Sequence, residues 1–415
     1  MRRQAMRRYF LPLLLGAAFL GRIGFGLLHP DLDAAGRLDD QDSYFAIASA
    51  FSDSWTLKDA FGETTAMREP LYPVALGCWF KIFGARYGAV LAFNSALCAL
   101  TVWLLYGVGR RLFGDAPAAI AAVIFAFYPA SVFYAAELKR ESMLALAGVA
   151  LIAVLLEAQR RKTARAHAAA GVVGACAGLL NTTLLPFALI AAPVGLLWAD
   201  RKDSKRATAR TAAYLAAFCA LYALWPIRNY AAFGRFIFGS TAGAASSFYS
   251  YMKIPPEVAG TSEETRLNLL DPVNAAARDL TPAEREGYYW RAGFREVREN
   301  PLAFVRRVAW RFFVDIWRVL PRPRPNEFSP RLIRWVSLLS DGWILPMGLL
   351  GLLSVRRDPP QIVWAYALVA SVHAVYALIL TSIRYRMTAM PWVILLASVA
   401  LSRGWERLRT LRTGG

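Results

Sequence analysis

Apolar runs of about 20 residues recur along this chain, separated by short charged connections, and they constrain its fold more than any other feature. A helix must be about 20 residues long to cross a hydrocarbon core, where every backbone polar group has to be satisfied internally. Using that length as a filter gives spans near 9–28, 87–109, 116–134, 141–157, 168–182, 184–199, 211–226, 334–354, 361–381 and 387–402. The expected fold is all-α, a polytopic transmembrane helical bundle of about ten or more spans. Composition points the same way: 57% of the 415 residues are hydrophobic and 19% are charged, more apolar surface than one soluble core can hide. A formal net charge of +19 in a soluble protein would suggest nucleic acid. Here Arg and Lys sit in clusters between apolar runs, which is a topology signal, and no nucleic-acid partner is expected.

Arg2, Arg3, Arg7 and Arg8 place the N-terminus in the cytoplasm by the positive-inside rule, and every second connection should then be basic. Arg110 and Arg111, residues 159–167 (QRRKTARAH), residues 201–210 (RKDSKRATAR), Arg356 and Arg357, and a tail with Arg403, Arg407, Arg409 and Arg412 all fall on that side. Both termini are thus expected in the cytoplasm, with the chain in the plasma (inner) membrane and its first span a retained anchor. The count closes only if residues 301–330 do not cross. Within them Val305, Val308, Phe312, Phe313, Ile316 and Leu320 alternate with Arg306, Arg307, Arg311, Asp315 and Arg318, the pattern of an amphipathic helix in the interface near 301–320. Three regions result: a transmembrane core over 1–226, a long outer loop with an interfacial helix over 227–330, and C-terminal helices with a basic tail over 331–415. Cys78, Cys98, Cys176 and Cys219 all lie in apolar stretches and read as small core residues, and His29, His167 and His373 are too scattered for a His-rich metal centre.

The first outer loop, 29–70, carries nine acidic residues (Asp31, Asp33, Asp39, Asp40, Asp42, Asp53, Asp59, Glu63 and Glu69) against Arg37, Lys58 and Arg68. Carboxylates concentrated at a membrane surface attract cations and polar substrates. Tyr44, Ile47, Ala48 and Phe51 repeat at helical spacing and predict a short interfacial helix with Asp40 or Asp42 at its mouth. A carboxylate there can simply cap the helix, or it can do chemistry. The second outer loop, about 227–300, holds the capping-box pattern Thr281-Pro282-Ala283-Glu284, which predicts a helix start. Pro321, Pro323 and Pro325 mark an extended connector. Asn181-Thr182-Thr183 matches a glycosylation acceptor, but it lies at the end of an apolar run and is set aside.

Six strings, in order, resemble the GT-C membrane glycosyltransferases, specifically bacterial relatives of the dolichyl-phosphate-mannose protein mannosyltransferases and of the lipid A aminoarabinose transferase. They are Asp40 through Ala48, with Tyr44 four residues after Asp40; Arg68-Glu69-Pro70-Leu71-Tyr72-Pro73 with the following WFKIFG; YGVGRRLFG; YPASVFYAAELKRESML; WPIRNYAAFGRF; and IRYRMTAMPWVILLASVAL. The resemblance implies a sugar donor carried on a polyprenyl phosphate and a glycan, lipid or protein acceptor on the outer face. It maps the family's first-loop carboxylate onto Asp40, with Asp42 a close competitor, and a second carboxylate onto Glu69. In such enzymes the first-loop carboxylate acts as a base or binds a divalent cation (Mg or Mn), so Asp40 and Glu69 are the implied ligands. Pro70 stands where the aminoarabinose enzymes have Lys, which leaves the sugar open.

Such a transfer needs a base for the attacking group and cations for the departing phosphate. Lys139, Arg140, Arg228, Arg384 and Arg386 lie at expected outer ends of spans, where the topology rule disfavours positive charge. Snorkelling to lipid phosphates is the plain alternative to donor binding. Arg384 and Arg386 flank Tyr385 and could converge on one anion; Glu137 and Glu141 could share a helix face beside Lys139, or merely pair and cap. The expected reading is an inverting, polyprenyl-phosphate-dependent glycosyltransferase. A transporter or flippase of a lipid-linked saccharide should show ionisable residues buried mid-span and matching halves, and the sequence offers neither signal.

Overall fold

The apolar runs become helices because a helix satisfies its own backbone, and Pro, Gly and charged residues end them. The structure, a computed structural model, describes residues 2–30, 38–241, 244–254, 262–280, 282–321, 328–355, 360–379 and 381–413. Asp31, Asp33, Arg37, Thr281, Pro323, Pro325, Arg356 and Arg357 lie outside them. In chain order come α1 (Arg2–Leu28), α2 (Tyr44–Ser54), α3 (Leu71–Phe83), α4 (Tyr87–Phe113), α5 (Asp115–Ala126), α6 (Pro129–Ala136), α7 (Glu141–Arg161) and α8 (Ala164–Leu180). They are followed by α9 (Ala192–Ala199), α10 (Ser204–Tyr222), α11 (Leu224–Phe233), α12 (Ala244–Lys253), α13 (Ser262–Leu270), α14 (Pro272–Ala276), α15 (Pro282–Glu299) and α16 (Pro301–Phe313). The last four are α17 (Pro330–Leu339), α18 (Asp341–Val355), α19 (Val363–Ile379) and α20 (Met390–Thr413).

Every expected span coincides with helix, but length and composition do not confirm a count of about ten among the described residues. Among the described residues six helical stretches are long and apolar enough to cross a membrane, or seven if α5 and α6, bent by 45° at their junction, form one span. The segments expected at 168–182 and 361–381 are helices of 17 residues, α8 and α19, and the second half of α20 is charged. The bundle is built by α1 packing on α4, α4 on α5 and α7, α7 on α8, α8 on α10, and α20 on α5 and α18. Two glycines permit the closest approaches: a Cβ at Gly171 would stand 2.1 Å from the Tyr214 carbonyl oxygen, and one at Gly351 2.0 Å from that of Leu396. Small residues at helix contacts are the usual basis of packing where lipid removes the hydrophobic drive. Leu13, Leu20, Trp103, Leu349 and Leu353 stay exposed on the protein, as lipid-facing side chains do.

One sequence expectation is corrected here. Arg22, inside α1, is fully buried. Its guanidinium donates to the carbonyls of Ala18 (3.0 Å), Ala126 (2.7 Å) and Phe125 (3.3 Å) and to Ser131 Oγ (2.9 Å). It therefore holds the open carbonyl end of α5 at the bend into α6, where a cation meets the negative end of the helix dipole.

The two ends of the bundle differ. At one, Arg111 bonds Glu157, Lys162 and Arg210 pair with Asp200, and Arg403 donates to the Ser354 carbonyl, so the basic connections cluster as expected. The other end carries α2, α3, the α6–α7 junction and the 3₁₀ segment Ile383–Thr388. In the second loop the helix expected near 281 is α15; with α12 and α14 it shares a small core of Ala245, Tyr249, Ala277, Tyr289 and Ala292. The amphipathic segment forms α16, exposing Leu302, Val305, Trp310 and Phe313. Arg307 and Arg311 turn inward instead, each donating to the Tyr251 carbonyl.

Candidate active site

The turn before α2 separates the two aspartates that the sequence left in competition. Ser43 adopts the left-handed region (φ 57°), so the chain reverses just ahead of the helix. Asp40 lies under the helix mouth, accepting the Phe45 N–H on Oδ1 (3.0 Å) and the Ala46 N–H on Oδ2 (2.9 Å). Both of its oxygens satisfy helix amides, which is capping chemistry. Burial nevertheless raises its pKa above the ordinary carboxylate value. Asp42 faces away from the helix: Oδ1 pairs with Arg68 at 2.7 Å and Oδ2 with Arg384 at 3.1 Å. Despite burial, those two guanidinium groups hold Asp42 below the ordinary range.

Glu69 is buried at the start of α3. One oxygen pairs with Arg140, and the other accepts from the Thr182 backbone N–H (3.2 Å) and hydroxyl (3.1 Å). These partners outweigh burial and hold its pKa below the usual value. Glu141, also buried, takes Arg384 Nε on Oε1, while its Oε2 has no hydrogen-bond partner among the described residues. Glu137 pairs with Lys139, and the break between α6 and α7 keeps it off the face of Glu141. Tyr44 is buried beneath this group, with the Arg68 guanidinium 5.5 Å above its ring and the Tyr72 ring edge-on at 4.9 Å. The charges of Arg140, Arg68, Asp42 and Glu69 all reach the Tyr44 hydroxyl.

Asp42, Glu69, Glu137, Tyr44, Lys139 and Arg384 are thus gathered at one end of the bundle, and Arg68, Arg140, Glu141 and Thr182 complete the set. Two expected cations lie elsewhere. Arg228 donates to the carbonyls of Thr65 (2.9 Å) and Leu57 (3.3 Å) and so fastens the far part of the first loop. Arg386 pairs with Asp341 and donates to the Arg318 carbonyl (2.8 Å). It diverges from Arg384 because three residues make a 3₁₀ turn, so side chains two apart point roughly 120° apart. Beside Arg386, Tyr128 donates to Asp341 at 2.7 Å. Asp341 was missed in the sequence, although a lone carboxylate inside an apolar run is a signal in its own right.

Asp40 and Glu69 do not form a shared donor set for a divalent cation, since helix amides hold the first and Arg140 and Thr182 the second. Among the described residues no three His, Cys, Asp or Glu side chains come together as metal ligands. On the far side of Ile383–Thr388 opens a mostly apolar cavity of about 490 Å³, lined by Phe25, Phe133, Phe328, Leu332 and Val336, with Asp315, Arg318, Asp341 and Arg386 as its charged groups.

Comparison with known proteins shows where this fold recurs. The archaeal oligosaccharyltransferase AglB from Archaeoglobus fulgidus, solved with an inhibitory peptide and a dolichol-phosphate, aligns over 98% of this chain and 52% of its own, with TM-score 0.56 and 16% identity. The oligosaccharyltransferase of the same organism tethered to an acceptor peptide aligns over 99% and 51%, with TM-score 0.58 and 18% identity. The chain spans about half the length of these relatives. ArnT from Cupriavidus metallidurans, bound to undecaprenyl phosphate, is more distant, with TM-score 0.42, 16% identity and coverage of 94% and 77%. Among curated proteins no sequence match is found. The fold is shared with these oligosaccharyltransferases. Within it, residues 68–229, from the residue before Glu69 to the end of the Arg228 staple, match the family model of dolichyl-phosphate-mannose-protein mannosyltransferase.

Proposed function

We propose that this protein is a glycosyltransferase of the plasma membrane that moves a sugar from a polyprenyl phosphate to a glycan, lipid or protein acceptor on the outer face. The observation that carries this reading is the interleaving of Asp42, Glu69 and Glu141 with Arg68, Arg140 and Arg384 at the end of the bundle away from the basic connections. Such a site can take a proton from an acceptor and neutralise a departing phosphate in the same place. The acceptor oxygen or nitrogen attacks the sugar C1 and forms the new glycosidic bond, while its proton passes to Asp42. The bond from C1 to the phosphate oxygen breaks, and its electron pair leaves with the polyprenyl phosphate, which Arg384 and Lys139 receive. One displacement inverts the anomeric centre. Glu69 fixes Arg140 and the Thr182 turn, and Asp40 holds α2 so that Asp42 is presented. The first isoprene units are placed in the apolar cavity beside Ile383–Thr388.

A flippase would move its cargo intact, and Arg22, a cation buried within α1, is consumed by a helix end. The deciding experiment supplies purified protein in nanodiscs with labelled polyprenyl-phosphate sugars. Acceptor-dependent release of free polyprenyl phosphate supports the enzyme; transbilayer movement with the sugar bond unbroken rejects it.

A further inference from the structure

Asp42, placed above as the proton acceptor, has no free oxygen. Arg68 bonds it twice, through Nη2 to Oδ1 (2.7 Å) and through Nε to the backbone carbonyl (2.8 Å). Arg384 Nη2 takes the other oxygen at 3.1 Å. Two guanidinium groups, one on each carboxylate oxygen, stabilise the ionised form so strongly that it is a poor base. Arg384 is shared, since its Nε is held by the buried Glu141. Among the described residues Glu141 Oε2 is left buried and unpartnered, a costly arrangement unless the pair is built to rearrange. Arg384 also sits in the segment whose other side lines the apolar cavity through Ser382, Ile383 and Arg386.

We propose that Arg384 masks Asp42 in the resting protein and exchanges it for the phosphate of an incoming lipid, so that arrival of the donor itself uncovers the base. A phosphate offers more charge and more acceptor oxygens than the carboxylate it displaces, and guanidinium binds it in the same planar, two-pronged fashion. Arg384 is then a positioning residue for the base as well as a ligand of the donor. Without donor the site holds no competent base, which guards against idle proton transfer. The inference rests on the function proposed above and adds an ordering of events to it.

If Asp42 and the lipid phosphate compete for one guanidinium, deleting the carboxylate should tighten lipid binding. The experiment measures undecaprenyl phosphate affinity by native mass spectrometry in phosphatidylcholine nanodiscs, which supply no competing anionic lipid, with thermal unfolding as the check on folding. Asp42→Asn is expected to bind about tenfold more tightly than wild type. Asp40→Asn removes the same charge two residues away but frees no arginine, so it should shift affinity less than about twofold; that contrast separates exchange from general loss of repulsion. Glu141→Gln loosens the same guanidinium from its other side and should also tighten binding, which keeps the test available if Asp42→Asn is unstable. Unchanged or weaker binding in folded Asp42→Asn or Glu141→Gln, or equal tightening in Asp40→Asn, overturns the exchange while leaving the transferase reading intact. Failure of the wild type to bind undecaprenyl phosphate at all overturns both.

Discussion

Glu69 shows how a single side chain at this site is tied to folding as well as to chemistry. It is buried against Arg140, and removing one member of a buried pair strands the other charge at a cost of about 3–5 kcal/mol. Glu69→Gln should therefore lower thermal stability by that order in detergent as well as suppress transfer; unchanged melting would mean that Arg140 has another partner. The same pairing sets a pH dependence. Asp42 and Glu69 are both held below the ordinary carboxylate range, so their contribution is complete above the unfolded value of about 4 and is lost as pH falls through the lower folded values. Asp40 is raised and acts oppositely, its contribution being complete below about 4 and fading as pH rises through its higher folded value. Loss of the Asp42 and Glu69 contributions predicts a melting temperature that drops on acidification below about pH 4, with a shallower drop in Glu69→Gln. Capping by Asp40 could be read from its place before Tyr44, because an N-cap is a local event. The partners of Asp42 could not, because Arg384 lies 342 residues away in the chain and no local pattern joins them.

At the scale of elements, apolar length alone located the helices, since spanning a membrane leaves the backbone few choices. It could not show that α8 and α19 stop at 17 residues, or that a 3₁₀ turn would send Arg384 and Arg386 to different partners. The long amphipathic pattern of α16 was legible, yet Arg307 and Arg311 face the protein, because the carbonyl of Tyr251 in the second loop offers them an acceptor that the sequence pattern does not show. Arg228, expected to bind phosphate, is instead the tie between α11 and the first loop. Arg228→Gln should loosen residues 55–64 and raise their rate of proteolysis by roughly tenfold, the consequence of losing charged hydrogen bonds worth about 1.5 kcal/mol or more. Equal cleavage in the variant would place the loop's anchorage elsewhere.

For the molecule as a whole, the segregation of charge gives the clearest handle on orientation. The arginines of the basic connections gather at one end and the carboxylate cluster at the other. With native cysteines replaced, a Cys at exposed Phe61 should react with an impermeant thiol reagent in intact cells, whereas one at exposed Arg161 should react only after permeabilisation. The reverse pattern would turn the site toward the cytoplasm and away from an outer-face acceptor. The central claim is that Asp42, and not its neighbour under the helix, serves the transfer, and comparing initial rates of sugar transfer in nanodiscs for Asp42→Asn and Asp40→Asn tests it most directly. Loss of a general base predicts a fall of about 100-fold or more for Asp42→Asn, with Asp40→Asn staying within roughly tenfold because Asn still caps a helix. Wild-type rates in Asp42→Asn would contradict the account.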